Sequence, residues 1–237
     1  MALTFSVIIP AYNEERRLPA TLKSIAAWFR SQGISFEIIV SDDGSNDRTA
    51  AIVRQEMKQQ PEIRLLFGES NRGKGYAVRR GVLAAGGEFI IFTDSDLSAP
   101  ISELPKLWDA VRKEGFDIAI GSRGMHESQV LVLQPWYRRL PGKVFGFLVH
   151  GLGLRDFSDT QCGFKLFRRE AARKIFLLLK TRGFAFDVEV LLRAGKAGYR
   201  VKEVPVVWVN SPESKLVVWR DPLRMLIELF LIRFFRN

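Results

Sequence analysis

The chain has 237 residues, of which 47% are hydrophobic and 26% are charged, so we expect one large globular domain with an appended element and not a disordered chain. Its net charge of +10 is uneven, because residues 1–111 carry 13 Lys and Arg against 14 Asp and Glu, whereas residues 112–237 carry 23 against 12. The second half is therefore expected to meet an anionic partner, either a phosphate-bearing lipid or a membrane surface. Nucleic acid is not the expected partner, because no helix-turn-helix, zinc-finger or RNP-like pattern accompanies the charge.

The composition also argues against a metal centre built from cysteine or histidine. The chain has one cysteine, Cys162, and two histidines, so neither an internal disulfide nor a zinc site is predicted. Cys162 itself is expected to be a small buried residue. Residues 1–9 resemble an apolar strand without a preceding basic segment, so no signal peptide is predicted and the protein is expected to face the cytosol.

Strand-like apolar runs and helix-like periodicity alternate four times along the first half of the chain. The predicted strand and helix pairs are 3–9 with 14–30, 36–41 with 49–58, 63–67 with 76–85, and 89–93 with 103–113. This alternation predicts an α/β fold with a mostly parallel, Rossmann-like sheet flanked by helices. Ligands of such sheets bind beyond the carboxyl ends of the strands, so the loops at 10–14, 42–47, 71–75 and 94–100 are the candidate site.

The most informative motif is the pair Asp94 and Asp96, which follows the apolar run 89–93 directly. Residues two apart on a strand point the same way, so both carboxylates can face one ligand. Two carboxylates in oxygen-only surroundings favour Mg²⁺ or Mn²⁺, and such an ion most often holds a diphosphate. The motif alone leaves a second interpretation open, since Asp-x-Asp at a strand end is also typical of a turn and a helix cap.

Two further loops suit a nucleotide. Asp42 lies at the end of the second strand, whereas Asp47 is better explained as a helix cap. Gly73 and Gly75 flank Lys74, so the backbone there can approach a ligand closely beside a cation. The spacing is not that of a Walker A loop.

The second half begins with a strand predicted at 116–122 and then becomes basic and aromatic. Between 123 and 150 the cations are Arg123, Arg138, Arg139 and Lys143, and they lie among Trp136, Tyr137, Phe145 and Phe147. Such a segment suits a surface that touches phosphate and acyl chains, and it equally suits an amphipathic helix packed on its own core. Residues 159–167 predict a polar turn that enters a strand, and capping is the simple explanation for Asp187 at the start of a helix.

The tail at 222–237 is apolar and bordered by arginines. Its apolar stretch, 225–235, contains two charges and is shorter than the ~20 residues that span a bilayer, so no full transmembrane span is predicted. The tail is either a helix packed on the domain or a basic amphipathic helix in a membrane interface, with Leu226, Leu229, Phe230 and Phe234 on one side.

Taken in order, these motifs resemble the family 2 inverting glycosyltransferases with the GT-A fold, and among them the polyprenol-phosphate sugar synthases. The segments that carry the resemblance are Val-Ile-Ile-Pro-Ala-Tyr-Asn-Glu-Glu at 7–15, Ser-Asp-Asp-Gly-Ser at 41–45, Asp-Ser-Asp at 94–96, Gly-Ser-Arg at 121–123, Asp-Thr-Gln-Cys-Gly-Phe-Lys at 159–165, and Trp208 followed by Glu-Ser-Lys-Leu at 213–216. The run 161–167 and Trp208 before Ser-Lys-Leu resemble the dolichyl-phosphate glucosyl branch more than the mannosyl one. Ser98 stands where mannosyl relatives often have a metal-holding Gln, so the third ligand is left open and water could take that place.

The resemblance implies roles for particular residues. It implies a GT-A domain at 1–215, with a nucleotide-sugar half at 1–111 and an acceptor half at 112–215, and a C-terminal helix at 216–237. The implied nucleotide-sugar residues are Pro10, Ala11, Tyr12, Glu14, Val40, Asp42, Gly73, Lys74, Asp94, Ser95 and Asp96, of which Asp94 and Asp96 would hold Mg²⁺ or Mn²⁺. On the acceptor side the implied residues are Asp159, Gln161 and Glu189, with Arg123, Arg138 and Arg139 for the acceptor phosphate. The residues implied in catalysis are Asp94, Asp96, Arg123 and Lys215.

The implied reaction transfers a hexose, glucose first among candidates, from a UDP sugar to dolichyl or another polyprenyl phosphate with inversion, on the cytoplasmic face of a membrane and with peripheral attachment. An anionic phosphate needs no deprotonation before it attacks. Two alternatives stay open. One is an enzyme of the same fold that uses GDP-mannose or a saccharide acceptor, for which Asp159 is the candidate base. The other is a non-catalytic basic lipid-binding module, which leaves Asp94 and Asp96 unexplained.

Overall fold

A seven-stranded sheet forms the centre of the molecule. The structure is a computed structural model, and it describes residues 3–131, 145–146, 148–209 and 221–234. The strands of the main sheet are β1 (Phe5–Ala11), β2 (Phe36–Asp42), β3 (Ile63–Leu66), β4 (Phe89–Thr93), β5 (Ile118–Ser122), β7 (Phe164–Arg168) and β8 (Val201–Pro205). The short strands β6 (Gln129–Val130) and β9 (Val207–Trp208) pair with each other in a second sheet.

Helices connect the strands and cover both faces of the sheet. They are α1 (Leu18–Ser31), α2 (Thr49–Gln59), α3 (Lys74–Ala84), α4 (Leu104–Arg112), α5 (Arg169–Leu178), α6 (Phe186–Lys196) and α7 (Asp221–Phe234), and a short 3₁₀ helix, Ile101–Glu103, precedes α4. One core cluster includes Phe5, Leu22 and Phe29 and lies on the α1 side, whereas the other includes Val78, Phe176 and Leu229 and lies on the α3 side.

The strand order β3-β2-β1-β4-β7-β5-β8 confirms the predicted mostly parallel sheet. β1 to β4 are parallel, and β7 alone runs antiparallel, between β4 and β5. The four predicted strand and helix units are all present. Because β7 runs the other way, its first residues lie at the edge where β4 ends, with Phe164 opposite Thr93. This reversal brings residues before β7 to the carboxyl edge of β4.

Most predicted boundaries differ from the structure by one or two residues, and the start of the first helix differs by four. β1 continues through Pro10 to Ala11, and Pro10 lies opposite Ser41 in the register with β2. The first helix begins at Leu18 and not at 14, because the carbonyl of Glu14 accepts hydrogen bonds from the N–H groups of Arg17 and Leu18 in a preceding turn. Pro19, in the first turn of α1, needs no N–H partner there.

Helix α7 packs on the domain with one side only. Leu229 and Ile232 are 5% and 8% exposed and belong to the core cluster on the α3 side, with Met225 packed against it. The prediction that Leu229 lies on the same side as Leu226 and Phe230 is therefore wrong. The exposed apolar side chains of α7 are Leu226, Ile227, Phe230 and Leu231, at 37%, 54%, 62% and 44%.

Within the described residues, no helix has the length and apolarity to cross a membrane. Cys162 is fully buried, as predicted, and burial raises the pKa of its thiol to about 12. At the end of the basic segment, Phe145 and Val149 are buried in the core cluster on the α3 side. This part of the segment therefore packs on the domain itself.

Candidate active site

Asp94 and Lys74 meet at the carboxyl edge of the sheet. Asp94 directly follows β4, and its Oδ1 lies 2.6 Å from Nζ of Lys74, the first residue of α3. The two side chains are 28% and 20% exposed, so the pair borders solvent. Gly163, just before β7, packs directly on the carboxylate, and a Cβ atom added there would collide with Asp94 Oδ2. The close approach of β7 therefore requires glycine at 163, a role that the sequence reasoning missed.

Asp96 is held beside Asp94 by the following turn. Its Oδ1 accepts the N–H of Ser98 at 3.0 Å, and its Oδ2 lies 3.4 Å from Nη1 of Arg17. The turn is fixed from the other side by Thr21, whose hydroxyl donates to the Ser95 carbonyl at 2.6 Å. Burial and the neighbouring Asp94 charge raise the pKa of Asp96. A cation bound between the two carboxylates would remove this repulsion, so the arrangement favours cation binding.

The two carboxylates fit a divalent ion whose remaining ligands come from substrate and water. Within the described residues, no group of three or more His, Cys, Asp or Glu side chains could hold a metal. Mg²⁺ typically accepts one or two carboxylates together with substrate phosphates and keeps several waters. Ser98 supports Asp96 by hydrogen bonds from its backbone and its hydroxyl. Asp94 and Asp96 are thus the side chains that would hold Mg²⁺ or Mn²⁺.

The loops after β1 and β2 are joined by hydrogen bonds around Asp42. The Asp42 carboxylate is fully buried and accepts from the hydroxyl and the N–H of Ser45. Ser45 Oγ also accepts the N–H of Asn13 at 2.8 Å, and the Asn13 side chain accepts the N–H of Asn46 at 2.8 Å. Asn13 has a left-handed φ of 56°, which asparagine tolerates better than most residues. The two predicted nucleotide loops therefore form one surface.

Other predicted donor residues lie around this surface at different depths. Pro10 and Tyr12 are partly exposed, whereas Ala11 is 2% exposed and Glu14 is 6% exposed. Glu14 forms an ion pair with Arg17, with 2.6 Å between Oε1 and Nη2. Ser95 contributes its carbonyl to the Asp94 turn. The Val40 side chain is fully buried in the core cluster on the α1 side, below the edge of the sheet.

Asp43 holds the predicted nucleotide loop at 71–75 in place, and the sequence reasoning missed this role. Its carboxylate accepts the N–H of Arg72 at 3.0 Å and that of Gly73 at 2.7 Å, while its own N–H donates to the Ala11 carbonyl at 2.8 Å. Burial raises the pKa of Asp43. Gly73 has a φ of 107°, and a Cβ atom there would collide with the Arg182 carbonyl. The sequence did contain a signal for this role: successive side chains at a strand end point to opposite faces, so Asp43 is expected to face a different loop from Asp42.

On the acceptor side, Arg123 and Asp159 form a bidentate ion pair. Arg123 Nε lies 2.6 Å from Asp159 Oδ2 and Nη2 lies 2.8 Å from Oδ1, and the guanidinium carbon is 4.8 Å from the centre of the Trp208 ring. Burial alone would raise the pKa of Asp159, but the adjacent guanidinium outweighs it and holds the pKa below its usual range. Glu203 accepts the Asp159 N–H at 2.7 Å. Asp159 is thus ionised and paired with Arg123. Because its pKa is lowered, its carboxylate is a weak base.

Two buried donors beside this pair have no hydrogen-bond partner within the described residues. They are Nε2 of Gln161 and Nε1 of Trp208. Buried polar groups are nearly always paired, so such donors point to a ligand or water. The backbone of Gln161 is held by Asp159 Oδ1 at 3.0 Å. The predicted acceptor-side residues Asp159 and Gln161 are therefore brought together with Arg123.

The structure does not bring Glu189 to this group. Its carboxylate accepts the N–H groups of Lys180 and Thr181, the latter at 2.7 Å, and pairs with Arg193 at 2.6 Å. Glu189 therefore holds the loop after α5 from the side of α6, and the prediction of an acceptor-side position is not supported. Arg138, Arg139 and Lys215 lie outside the described residues.

A buried charge pair supports the site from below. Lys165 on β7 and Asp187 in the first turn of α6 are both buried, with 2.5 Å between Nζ and Oδ1, and Lys165 also donates to the Cys162 carbonyl at 2.6 Å. Burial raises the pKa of Asp187, although Lys165 and Lys74 both act against that rise. Capping explained Asp187 in the sequence, and the buried Lys165 was not predicted as a partner. Charges thus alternate through Asp94, Lys74, Asp187 and Lys165.

Comparisons with known proteins agree with this architecture. Residues 6–176 match the model of the family described as glycosyl transferase family 2. The dolichyl-phosphate beta-glucosyltransferase of Dictyostelium discoideum is 37% identical over 240 residues, which are 97% of this chain and 73% of that protein. The enzyme of the same description from Drosophila melanogaster is 38% identical over 98% of this chain and 74% of its own length.

A solved structure has the same fold at low sequence identity. Glucosyl-3-phosphoglycerate synthase from Mycobacterium tuberculosis, in complex with Mn²⁺ and UDP-glucose, superposes with a TM-score of 0.68 over 98% of this chain and 79% of that one. The two chains are 21% identical, so the likeness concerns the fold.

Proposed function

Because the chain belongs to glycosyl transferase family 2, we propose that this glycosyltransferase transfers glucose from UDP-glucose to dolichyl phosphate or a similar polyprenyl phosphate. The observation that carries the proposal is the meeting of Asp94, Asp96 and Lys74 at one edge of the GT-A sheet. Two relatives named for dolichyl-phosphate glucosylation, at 37% and 38% identity over nearly the whole chain, support the sugar and the acceptor.

On the donor side, Asp94 and Asp96 would hold the divalent ion. Bound there, Mg²⁺ or Mn²⁺ supplies a positive charge that stabilises the departing diphosphate. Lys74 would share that task, because its ammonium lies 2.6 Å from the Asp94 carboxylate. Asp42 is buried at the end of β2 and would hold Ser45 in the loop that meets the base, and the Asp43 carboxylate keeps the 72–73 backbone close to that loop. These side chains bind and orient the donor.

On the acceptor side, the phosphate of the lipid is already anionic and needs no general base. This agrees with an Asp159 whose pKa is lowered and whose carboxylate is bound by Arg123. Phosphate contacts are assigned to the remaining donors of Arg123, to the buried Gln161 amide, and to Arg138 and Arg139. Lys215 is assigned to the diphosphate. Attack on the face opposite the leaving group gives inversion at the sugar carbon.

The acceptor is a lipid, so the enzyme is proposed to work at the cytoplasmic surface of a membrane through peripheral attachment. α7 presents Leu226, Ile227 and Phe230 to its surroundings, and Arg224 and Arg233 on the same helix are exposed. Apolar side chains bordered by cations suit a helix in the plane of an anionic interface. The excess of Lys and Arg in residues 112–237 acts in the same direction.

The test is a transfer assay with radiolabelled UDP-glucose, dolichyl phosphate in detergent, and Mg²⁺ or Mn²⁺. We expect a glucolipid with the β configuration, which NMR of the extracted product would establish. Parallel reactions with GDP-mannose, with unphosphorylated dolichol and with a soluble saccharide test the alternatives. Preferred use of GDP-mannose or of a saccharide would overturn the proposal, and lack of turnover with every donor would favour a non-catalytic module.

A further inference from the structure

A groove of about 360 Å³ lies between α6 and α7, outside the site described above. One end is closed by the loop that follows α5. The cationic residues that line it are Lys180, Arg182, Arg193 and Lys196, and the two carboxylates are Glu189 and Glu228. Its volume is in the range of small-molecule and headgroup sites in proteins.

Both carboxylates of the groove are already used by the fold. Glu189 accepts the N–H groups of Lys180 and Thr181 and pairs with Arg193. Glu228 accepts the N–H of Gly183 at 2.8 Å and that of Ala185 at 3.0 Å. The two carboxylates are bound by backbone N–H groups and, for Glu189, by Arg193, so the four cationic side chains leave the groove with an excess of positive charge. An anionic ligand is the complement of such a surface.

The floor and one rim of the groove are apolar. Leu192 and Ile232 are buried in the floor, and Leu231 is 44% exposed at the edge. From Leu231 the exposed apolar surface continues along α7 to Ile227 and Phe230. A free anion would use only the cations, whereas an anionic lipid would place its headgroup among the cations and its chains along α7.

The groove is distinct from the place where the acceptor phosphate would react. Residues 181–183 lie between the groove and the candidate active site. Their backbone packs directly on the nucleotide loop at 71–75, since a Cβ atom added at Gly75 would lie 2.7 Å from the Thr181 carbonyl oxygen. The N–H of Tyr76 donates to the Arg182 carbonyl at 3.1 Å on that same side. On the other side, Glu189 and Glu228 hold the loop from the groove.

We propose that this groove binds the headgroup of an anionic membrane phospholipid and so fixes α7 at the membrane surface. The proposal rests on the proposed membrane attachment and is independent of which sugar or acceptor the enzyme uses. Lys180 and Arg182 supply the exposed charge at the closed end, while Leu192 and Leu231 supply the apolar contact. The predicted ligand is a glycerophospholipid with a net negative headgroup.

The test is a calorimetric titration of the full chain with dihexanoyl phosphatidylglycerol below its micellar concentration. Dihexanoyl phosphatidylcholine and inorganic phosphate are titrated separately. We expect saturable binding of the phosphatidylglycerol, and at least ~10-fold weaker binding of the other two, which corresponds to about 1.4 kcal/mol. The variant Lys180→Gln/Arg182→Gln should weaken phosphatidylglycerol binding at least ~10-fold.

A matched control is Lys23→Gln/Lys58→Gln, which removes the same charge from exposed positions on α1 and α2 and should leave the affinity unchanged. Thermal melting and UDP binding of both variants establish that they are folded. Equal losses in the two double variants, or equal affinity for phosphatidylcholine, would overturn the proposal, and phosphate binding as tight as that of the lipid would reduce the groove to a free-anion site. If dolichyl phosphate is not glucosylated but the lipid still binds in this pattern, the proposed function fails and the groove proposal stands.

Discussion

The ammonium of Lys165 lies 2.5 Å from Asp187 Oδ1 although the two side chains are only 0% and 3% exposed. β7 supplies the lysine and α6 supplies the aspartate. A buried pair of this kind is costly to desolvate, so a contribution to stability does not by itself explain why it is present. Lys74 interacts with both Asp187 and Asp94, which places the pair in electrostatic contact with the candidate metal site. We infer that the pair fixes the charge environment of Asp94.

Removing one member of the pair should be much worse than removing both. Lys165→Met and Asp187→Asn each leave a buried charge without its partner and are expected to cost about 3–5 kcal/mol in the free energy of unfolding. The double variant should cost clearly less than the sum. Urea denaturation of the four proteins gives the coupling energy.

The exposed pair Lys113 and Asp109 on α4 offers the control, with 2.9 Å between the charged atoms and side chains 70% and 51% exposed. Its coupling energy should be under about 0.5 kcal/mol. Additive effects at Lys165 and Asp187 would mean that the two side chains do not interact in solution.

Asp96→Asn should abolish metal-dependent turnover. The candidate metal site contains only two carboxylates. The loss of one negative charge should therefore weaken binding of the ion, and kcat should fall ~100-fold or more. Binding of Mn²⁺ in the presence of UDP, followed by electron paramagnetic resonance, should be lost in parallel. Asp109→Asn, on the surface, is the control. Full activity of the unaltered enzyme in excess EDTA would show that the metal assignment is wrong.

Asp42→Ala should chiefly weaken donor binding. The carboxylate is buried at the end of β2 and orders the nucleotide loop through Ser45, away from the reacting carbon, so KM for UDP-glucose should rise about tenfold with little change in kcat. Ser45→Ala removes the hydroxyl that orients this carboxylate and should give a smaller rise. A fall in kcat at constant KM would contradict the assignment.

Asp159→Asn should destabilise the protein by about 3 kcal/mol at neutral pH, because it leaves Arg123 unpaired. The pKa of Asp159 is lower in the folded state than its ordinary value of 3.8, so its contribution is complete above that value and is lost as the pH falls through the folded pKa. The difference between wild type and variant should therefore be constant from pH 8 to about pH 5 and shrink below about pH 4. Asp156→Asn, an exposed change in the same segment, should cost little at any of these pH values. A difference that grows in acid would contradict the pairing.

Two substitutions on α7 should separate its packed side from its exposed side. Leu229→Ala removes a side chain that is 5% exposed and should cost about 2–5 kcal/mol, whereas Ile227→Ala, at a position 54% exposed, should change stability by less than about 0.5 kcal/mol. Urea denaturation measures the first effect. Co-sedimentation with anionic liposomes should be reduced only by the second. Unchanged liposome binding by a folded Ile227→Ser/Phe230→Ser variant would contradict the interfacial role of α7.

The sequence by itself determined the four strand and helix units and the edge of the sheet at which Asp42, Gly73, Asp94 and Asp96 meet. Those features depend on short-range periodicity, on buried apolar strands and on the rule that parallel strands end at one edge. The closeness of Asp94 and Asp96 was predicted from alternation along a strand, whereas both lie after the end of β4.

Only the tertiary structure decided which distant residues meet. The antiparallel direction of β7 places Gly163 against Asp94 and Lys165 against Asp187, and no local pattern encodes that direction. The side of α7 that packs on the domain was decided in the same way, since Leu229 and Ile227 are equally apolar and differ only in which one faces the core cluster. Local patterns specify elements, whereas contacts between elements depend on how their faces pack, which no single segment contains.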